Sequence, residues 1–338
     1  LDYDLPPDRI AQHPVEPRDH ARLLVVERAT GRFVDQHVYD LPNWLRRGDL
    51  LVLNDTKVIP ARLLGEREKT GGKWEGLFLQ QLPDGRWELL TQTRGSPKPG
   101  EWVKLDQGGV RLRLTEKTAE GHWLAQPEPF EPAEVLLDRC GHTPLPPYIR
   151  KGRADPGDRQ RYQTVYARKA GSVAAPTAGM HFTPQLLERL EAAGIQRTFV
   201  TLHVGIGTFQ PIQSEDVTRH VMHSEWCEIS QPAVDALQRC RRDGGRIVAV
   251  GTTSVRVLET VARLDPLRPW RGETRLYIYP PFEFRLVDVL MTNFHLPRSS
   301  LLALVAAFMG LDLMHAAYRH AISAGYRFYS YGDAMLIV

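Results

Sequence analysis

Cysteine is scarce in this 338-residue chain: Cys140, Cys227 and Cys240 are the full set, and no C-x-x-C pair occurs. That argues against a disulfide framework and a paired-thiolate motif, and fits a reducing compartment. No apolar run is long enough to span a bilayer, and the residues from Leu1 to Pro7 carry no signal-peptide pattern. A cytoplasmic protein with no membrane partner is therefore expected. Charge of one sign is lacking too, with 43 Lys and Arg against 40 Asp and Glu, a net +3. Such a balance permits nucleic-acid binding without requiring it. The common nucleotide-binding fingerprints are also missing. Gly205-Ile206-Gly207 is followed by Gln210 where a dinucleotide motif needs Gly or Ala, and no Gly-Lys-Ser/Thr follows.

Two Gly/Thr/His loops flanking one predicted helix stand out against these absences. The first is Pro176-Thr177-Ala178-Gly179-Met180-His181-Phe182, and the second runs from Thr201 through His203, Gly205, Gly207 and Thr208 to Phe209. Between them Thr183 reads as an N-cap, Pro184 as the first helical residue and Gly194 as the stop. The apolar run Phe199 to Val204 reads as a buried strand, which puts His203 near its C-terminal end. Ligands bind at such strand ends in α/β folds.

Three textures divide the chain. Short apolar runs, Leu23 to Val26 and Leu50 to Leu53, mark residues 1–62. Residues 63–147 show short strands around Leu77 to Gln80, Trp87 to Thr91, Val103 to Leu105 and Val110 to Leu114, separated by Pro83-Asp84-Gly85 and Gly108-Gly109 turns. This stretch reads as a small antiparallel barrel or sandwich. From residue 148 onward helices and strands alternate, with strands expected at Ile247 to Val250, Arg275 to Tyr279 and Arg327 to Tyr331. The simplest topology is an α/β domain of residues 1–62 and 148–338, with residues 63–147 inserted as the β domain.

Further clusters suggest chemistry. Gly251-Thr252-Thr253-Ser254 lies between a strand and a helix, where amides and hydroxyls hold a carboxylate or phosphate; the plain alternative is an N-cap at Thr253 or Ser254. Arg256 opposes that helix's dipole and adds slight weight to an anion contact. His220, His223 and Cys227 have metal-like spacing, but no fourth ligand follows, so no metal site is expected. Asn293, His295 and Arg298 precede an apolar helix, and Asp333 follows a predicted strand as an acid, a base or a turn former. Between Tyr148 and Lys169, Arg150, Lys151, Arg159 and Arg161 alternate with Tyr162 and Tyr166, as phosphate contact and base stacking on RNA would require.

Taken together, these strings resemble the S-adenosylmethionine:tRNA ribosyltransferase-isomerase family of queuosine biosynthesis. The resemblance rests on Ile10-Ala11-Gln12-His13-Pro14, Asn54-Asp55-Thr56-Lys57, Arg161-Tyr162-Gln163-Thr164-Val165-Tyr166, both His loops and Met222-His223-Ser224-Glu225. It continues through Gly251 to Arg256, Thr292 to Pro297 and Tyr331-Gly332-Asp333-Ala334-Met335. It implies a barrel-like mixed α/β domain with an inserted antiparallel β-barrel. It also implies transfer and isomerisation of the ribosyl group of S-adenosylmethionine onto 7-aminomethyl-7-deazaguanine at the tRNA wobble position. The products are epoxyqueuosine-tRNA, adenine and methionine; S-adenosylmethionine is a consumed co-substrate and no cofactor is needed.

On this reading His203 or His181 is the base, with Glu225, His295 or Asp333 as acid or orienting group. Thr177, Gly179, Gly205, Gly207, Thr208, Thr253, Arg256, Asn293 and Arg298 are the expected substrate-binding residues. Arg150, Lys151, Arg159, Arg161 and Tyr162 are expected to touch RNA. Two rivals stay open: an RNA-binding protein without catalysis, and a methyltransferase using the same S-adenosylmethionine.

Overall fold

The computed structural model describes residues 1–205 and 216–338. In chain order the strands open with β1 (Arg22–Glu27), β2 (Arg32–His37), β3 (Leu50–Asn54) and β4 (Thr56–Val58). Next come β5 (Arg62–Arg67), β6 (Lys73–Gln81), β7 (Trp87–Thr93), β8 (Trp102–Leu105), β9 (Arg111–Lys117) and β10 (Trp123–Glu128). The remainder are β11 (Lys169–Ser172), β12 (Gln196–Leu202), β13 (Glu225–Ile229), β14 (Ile247–Val250), β15 (Trp270–Thr274), β16 (Val289–Asn293) and β17 (Ala334–Ile337). The α-helices are α1 (Ala133–Cys140), α2 (Asp158–Arg161), α3 (Pro184–Ala192), α4 (Gln231–Arg242), α5 (Thr252–Val261), α6 (Ser300–Met309) and α7 (Leu311–Ser323).

The chain forms two compact units. One comprises Leu1–Lys57, Pro146–Lys151 and Arg161–Val338; the other comprises Val58–Leu145 and Gly152–Gln160. The second unit is a closed antiparallel barrel in the order β10-β7-β6-β5-β8-β9. Closure leaves no open sheet edge to manage. Its strands alternate: Trp74, Gly76 and Phe78 of β6 are buried, as are Leu112 and Leu114 of β9.

The first unit is built on a nine-stranded mixed sheet, β15-β13-β12-β3-β14-β16-β17-β1-β2. Its inner strands are apolar at nearly every position because both faces are covered. In β3, Leu50 and Val52 join one core cluster while Leu51 and Leu53 join the other; Ile247 and Ala249 of β14 oppose Val248 and Val250 in the same way. On one face α4, α5, α6 and α7 contribute Leu237, Leu258, Leu302 and Met314, and on the other α3 contributes Leu186, Leu187 and Leu190. Helix α3 is built as its sequence requires. The Thr183 hydroxyl accepts from the Leu186 amide at 3.1 Å, Pro184 opens the first turn, and Gly194 exits at φ 80°.

Three local expectations are corrected. The helix after β14 begins at Thr252 with Gly251 as its cap residue, so neither Thr253 nor Ser254 caps it. The strand expected at Arg275 to Tyr279 lies earlier, at Trp270–Thr274, paired with β13. The strand expected at Arg327 to Tyr331 is a single bridge at Phe328 followed by a turn; the closing strand is Ala334–Ile337, whose four buried residues show no alternation. Both misplaced strands sit beside runs whose apolar residues serve loop packing rather than a ladder.

Strand direction sets where chemistry gathers. β12, β3, β14 and β16 are mutually parallel and end along one margin of the sheet. β17 runs antiparallel to β16 and β13 antiparallel to β12, so both start at that same margin, where Asn293 faces Ala334 and Leu202 faces Cys227.

Candidate active site

A cleft of about 650 Å³ opens along this margin. Thr177 and Ala178 of the first loop, Val204 after β12, Gly251 to Thr253 at the start of α5, and Thr292 to Leu296 at and beyond the end of β16 line it. Tyr148, Tyr329 and Ser330 complete the wall. His181 sits behind Asn293, its Nε2 3.3 Å from Asn293 Nδ2, and lines a smaller cleft of about 280 Å³ with Arg18, Arg161 and Tyr331. This imidazole thus lines the smaller cleft and meets the larger one only through Asn293.

The histidines differ in setting. His181 is buried, and loss of solvation pushes it down to about 4 against the opposing charge of Asp333. Burial pushes His295 to about 3; its Nε2 lies 2.7 Å from the Thr292 hydroxyl, and Tyr318 and Tyr3 hold its backbone. His203 is half-buried, stacked on Trp226 at 5.0 Å, with Nδ1 2.8 Å from the Thr56 hydroxyl. Desolvation lowers it as well, partly opposed by Asp55. Gly171 closes over that ring: a Cβ there would lie 2.9 Å from Nε2.

His181 and His295 consequently tie stability to pH. In the folded protein both stay neutral well below the unfolded value of about 6.5, so between pH 6.5 and 4 only the unfolded chain takes up their protons. Stability is therefore full above pH 6.5 and is expected to fall by about 1.4 kcal/mol per pH unit for each histidine as pH drops. Urea midpoints at pH 7 and pH 5 check this. A difference that does not shrink in His295→Gln would place the effect elsewhere.

The carboxylates are held by hydrogen bonds within the protein. Glu225 accepts the Gly205 amide at 2.8 Å on one oxygen and the Arg256 guanidinium on the other, in a pair whose side chains are 3% and 5% exposed. Arg256 spends its other donors on the Leu276 and Thr274 carbonyls, and burial lowers it to about 10. It turns inward beneath the sheet margin instead of toward an anion in the cleft. Asp333 is likewise buried, accepting the Arg22 and Arg327 amides at 3.1 and 2.7 Å and the Arg327 guanidinium at 3.3 Å. It fixes the turn before β17.

Other expected residues scatter. Gly179 sits against the Tyr166 ring, whose hydroxyl would be 2.1 Å from a Cβ placed there. Arg298 is exposed and bridges Asp2 at 2.5 Å, away from the cleft. Gly207 and Thr208 lie outside the described residues. Arg150 binds Gln12 and His13, Arg161 binds Glu16 at 3.1 Å, and Arg159 belongs to the barrel unit, where it pairs with Asp138. Lys151 is exposed with φ 55°. Tyr162 corrects the stacking expectation: it is fully buried, edge-on to Tyr331 at 6.0 Å, and offers no face to a base. Among the described residues no three His, Cys, Asp or Glu side chains come together as a metal site.

Asn54, Asp55 and Thr56 were not singled out from sequence as site residues, yet they organise this margin. Asn54 accepts the Leu202 and Thr56 amides and donates to the Leu202 carbonyl and the Thr253 hydroxyl, all at 3.0–3.1 Å. Asp55, also buried, accepts from the Thr201 hydroxyl at 2.6 Å and from Arg168 at 3.0 Å. Polar residues directly after the apolar run of β3 were the available signal.

Comparison with known proteins adds to this geometry. A family model described as queuosine biosynthesis protein matches residues 1–337. A protein of Symbiobacterium thermophilum named S-adenosylmethionine:tRNA ribosyltransferase-isomerase is 51% identical, covering 100% of this chain and 98% of its own length. One of the same name from Brucella ovis is also 51% identical, over 100% and 96%. The crystal structure of an S-adenosylmethionine tRNA ribosyltransferase from Thermotoga maritima is 39% identical and superposes with a TM-score of 0.58, covering 100% and 99%. No single helix among the described residues is long and apolar enough to cross a membrane. With its full length matched and its barrel and mixed sheet in place, this chain belongs to the queuosine biosynthesis protein family.

Proposed function

We propose that this chain transfers and isomerises the ribosyl group of S-adenosylmethionine onto 7-aminomethyl-7-deazaguanine at the tRNA wobble position, releasing adenine and methionine. The observation that carries the reading is identity of 51% over the whole chain to relatives named for that enzyme. The cleft supports it. Its walls combine aromatic and apolar surface with threonine hydroxyls and helix-end amides, as a nucleoside bearing an amino-acid arm requires.

The sulfonium acidifies the adjacent ribose carbon, so a neutral imidazole can remove a proton there. His181 fits this task best, because it lines the smaller cleft, touches Asn293 of the larger one and stays neutral through the physiological range. His203 is the alternative base, set apart by its place between Thr56 and Trp226. Glu225 and Asp333 serve as positioning groups: one anchors Gly205 through its amide, the other fixes the turn before β17. The donor supplies both the ribosyl group and its own leaving groups, so the reaction needs no resident cofactor.

Incubation with tRNA carrying the deazaguanine precursor tests the proposal. Adenine release with a ribosyl-sized mass gain on the tRNA is expected. Homocysteine derivatives would point to methyl transfer instead, and binding without turnover would point to an RNA-binding protein.

A further inference from the structure

Helix α5 enters the cleft without a cap. Gly251 stands at φ 87°, no side chain accepts from the first turn, and no acidic residue lies in it. Nearby hydroxyls are engaged elsewhere: Ser254 donates to the Val250 carbonyl and Thr253 accepts from Asn54. Among the described residues, the amides of Thr252, Thr253 and Ser254 have no hydrogen-bond partner. Three donors and the positive end of the helix dipole thus face the cleft.

A second, independent observation supplies the opposite polarity. Asn293 is 2% exposed and lines the same cleft. Its Nδ2 donates to the Tyr329 carbonyl at 3.1 Å, so turning the amide over would set oxygen against oxygen. Its Oδ1 is consequently fixed as an acceptor, and among the described residues nothing donates to it. A buried acceptor held this way calls for a donor from outside the chain.

The two features are neighbours by construction. β14 and β16 are adjacent parallel strands with Val250 paired to Met291, and the Gly251 amide donates to the Met291 carbonyl at 2.8 Å. Strands so paired lie about 4.8 Å apart. An α-amino acid carries its carboxylate and ammonium on one carbon, which matches donors and acceptor on neighbouring strand ends. Among the described residues, none that lines the cleft is Asp, Glu, Lys or Arg. A neutral cleft suits a zwitterion and disfavours a phosphate, whose full negative charge would find no cation there.

We propose that the α5 N-terminus and Asn293 together clamp an α-amino acid group, its carboxylate on the amides of Thr252 to Ser254 and its ammonium on Asn293 Oδ1. Resting on the function proposed above, this group is the methionine end of S-adenosylmethionine. The sulfonium and adenosyl portion then extends along Tyr148, Phe294 and Tyr329.

Calorimetry with S-adenosylmethionine, its decarboxylated analogue and its desamino analogue tests the clamp. The native protein is expected to bind each analogue about 10–100-fold more weakly, the range of one lost charged hydrogen bond. Asn293→Leu is expected to weaken S-adenosylmethionine by a similar factor and to bind the desamino analogue as well as the parent. Equal binding of all three ligands by the native protein would overturn the clamp and leave the proposed function standing. So would an Asn293→Leu protein that still prefers the amine, or inorganic phosphate displacing S-adenosylmethionine better than methionine does. Failure to bind any of the three would overturn the function and the clamp together.

Discussion

Replacing Arg256 with methionine is expected to cost about 3–5 kcal/mol of folding stability, because it strands the Glu225 carboxylate in a dry site. The pair is almost entirely shielded, with side chains 5% and 3% exposed, and water cannot take over as partner. The loss reaches beyond one ion pair. The Leu276 and Thr274 carbonyls lose their donors, and the segment after β15 loses its tie to α5. Urea denaturation of Arg256→Met, Glu225→Leu and the double variant measures the effect. Each single variant should fall by a similar amount, and the double variant should recover much of it, since two apolar residues leave no charge unpaired. Strictly additive losses would mean that the pair is not coupled.

A second large effect is expected at His181. His181→Asn should lower kcat by about 10²–10⁴-fold, the usual contribution of a positioned proton acceptor, while S-adenosylmethionine affinity changes little. The pH profile separates it from His203. A base whose conjugate acid titrates at about 4 is already neutral at pH 6, so kcat/KM should be level from pH 6 upward and fall only toward pH 4. The acid limb must be read after brief exposure, with activity regained at pH 7, because acid also weakens the fold. An acid limb clearly above pH 4 that vanishes in His203→Asn and survives in His181→Asn would move the base to His203.

Much of this was legible in the residues. Thr183, Pro184 and Gly194 delimit α3 because cap, first turn and stop are each local chemistry. The runs Leu50 to Leu53 and Ile247 to Val250 announce buried strands, since a sheet covered on both faces needs apolar residues at every position. Less visible was anything decided by distant partners. Arg256 sits near the N-terminal end of α5, where its charge is unfavourable, and Glu225 from another strand explains it. Tyr162 lies in an Arg-rich segment that looks solvated, yet its ring is core. Asn293 could be named as a binder, but its stranded oxygen depends on the Tyr329 carbonyl, far along the chain. Motif spacing marks which loops matter; which atom is left without a partner is a property of packing.

The strand order of the main sheet also governs how the protein assembles. β1 is flanked by β2 and by β17, and β3 lies between β12 and β14, so each early strand completes its pairing only with chain made much later. The barrel strands β5 to β10 are contiguous in sequence and can pair with one another as soon as they emerge. Contacts of such long sequence separation form slowly and leave apolar edges exposed meanwhile. The margin that bears the cleft thus cannot be completed until β17 has been made.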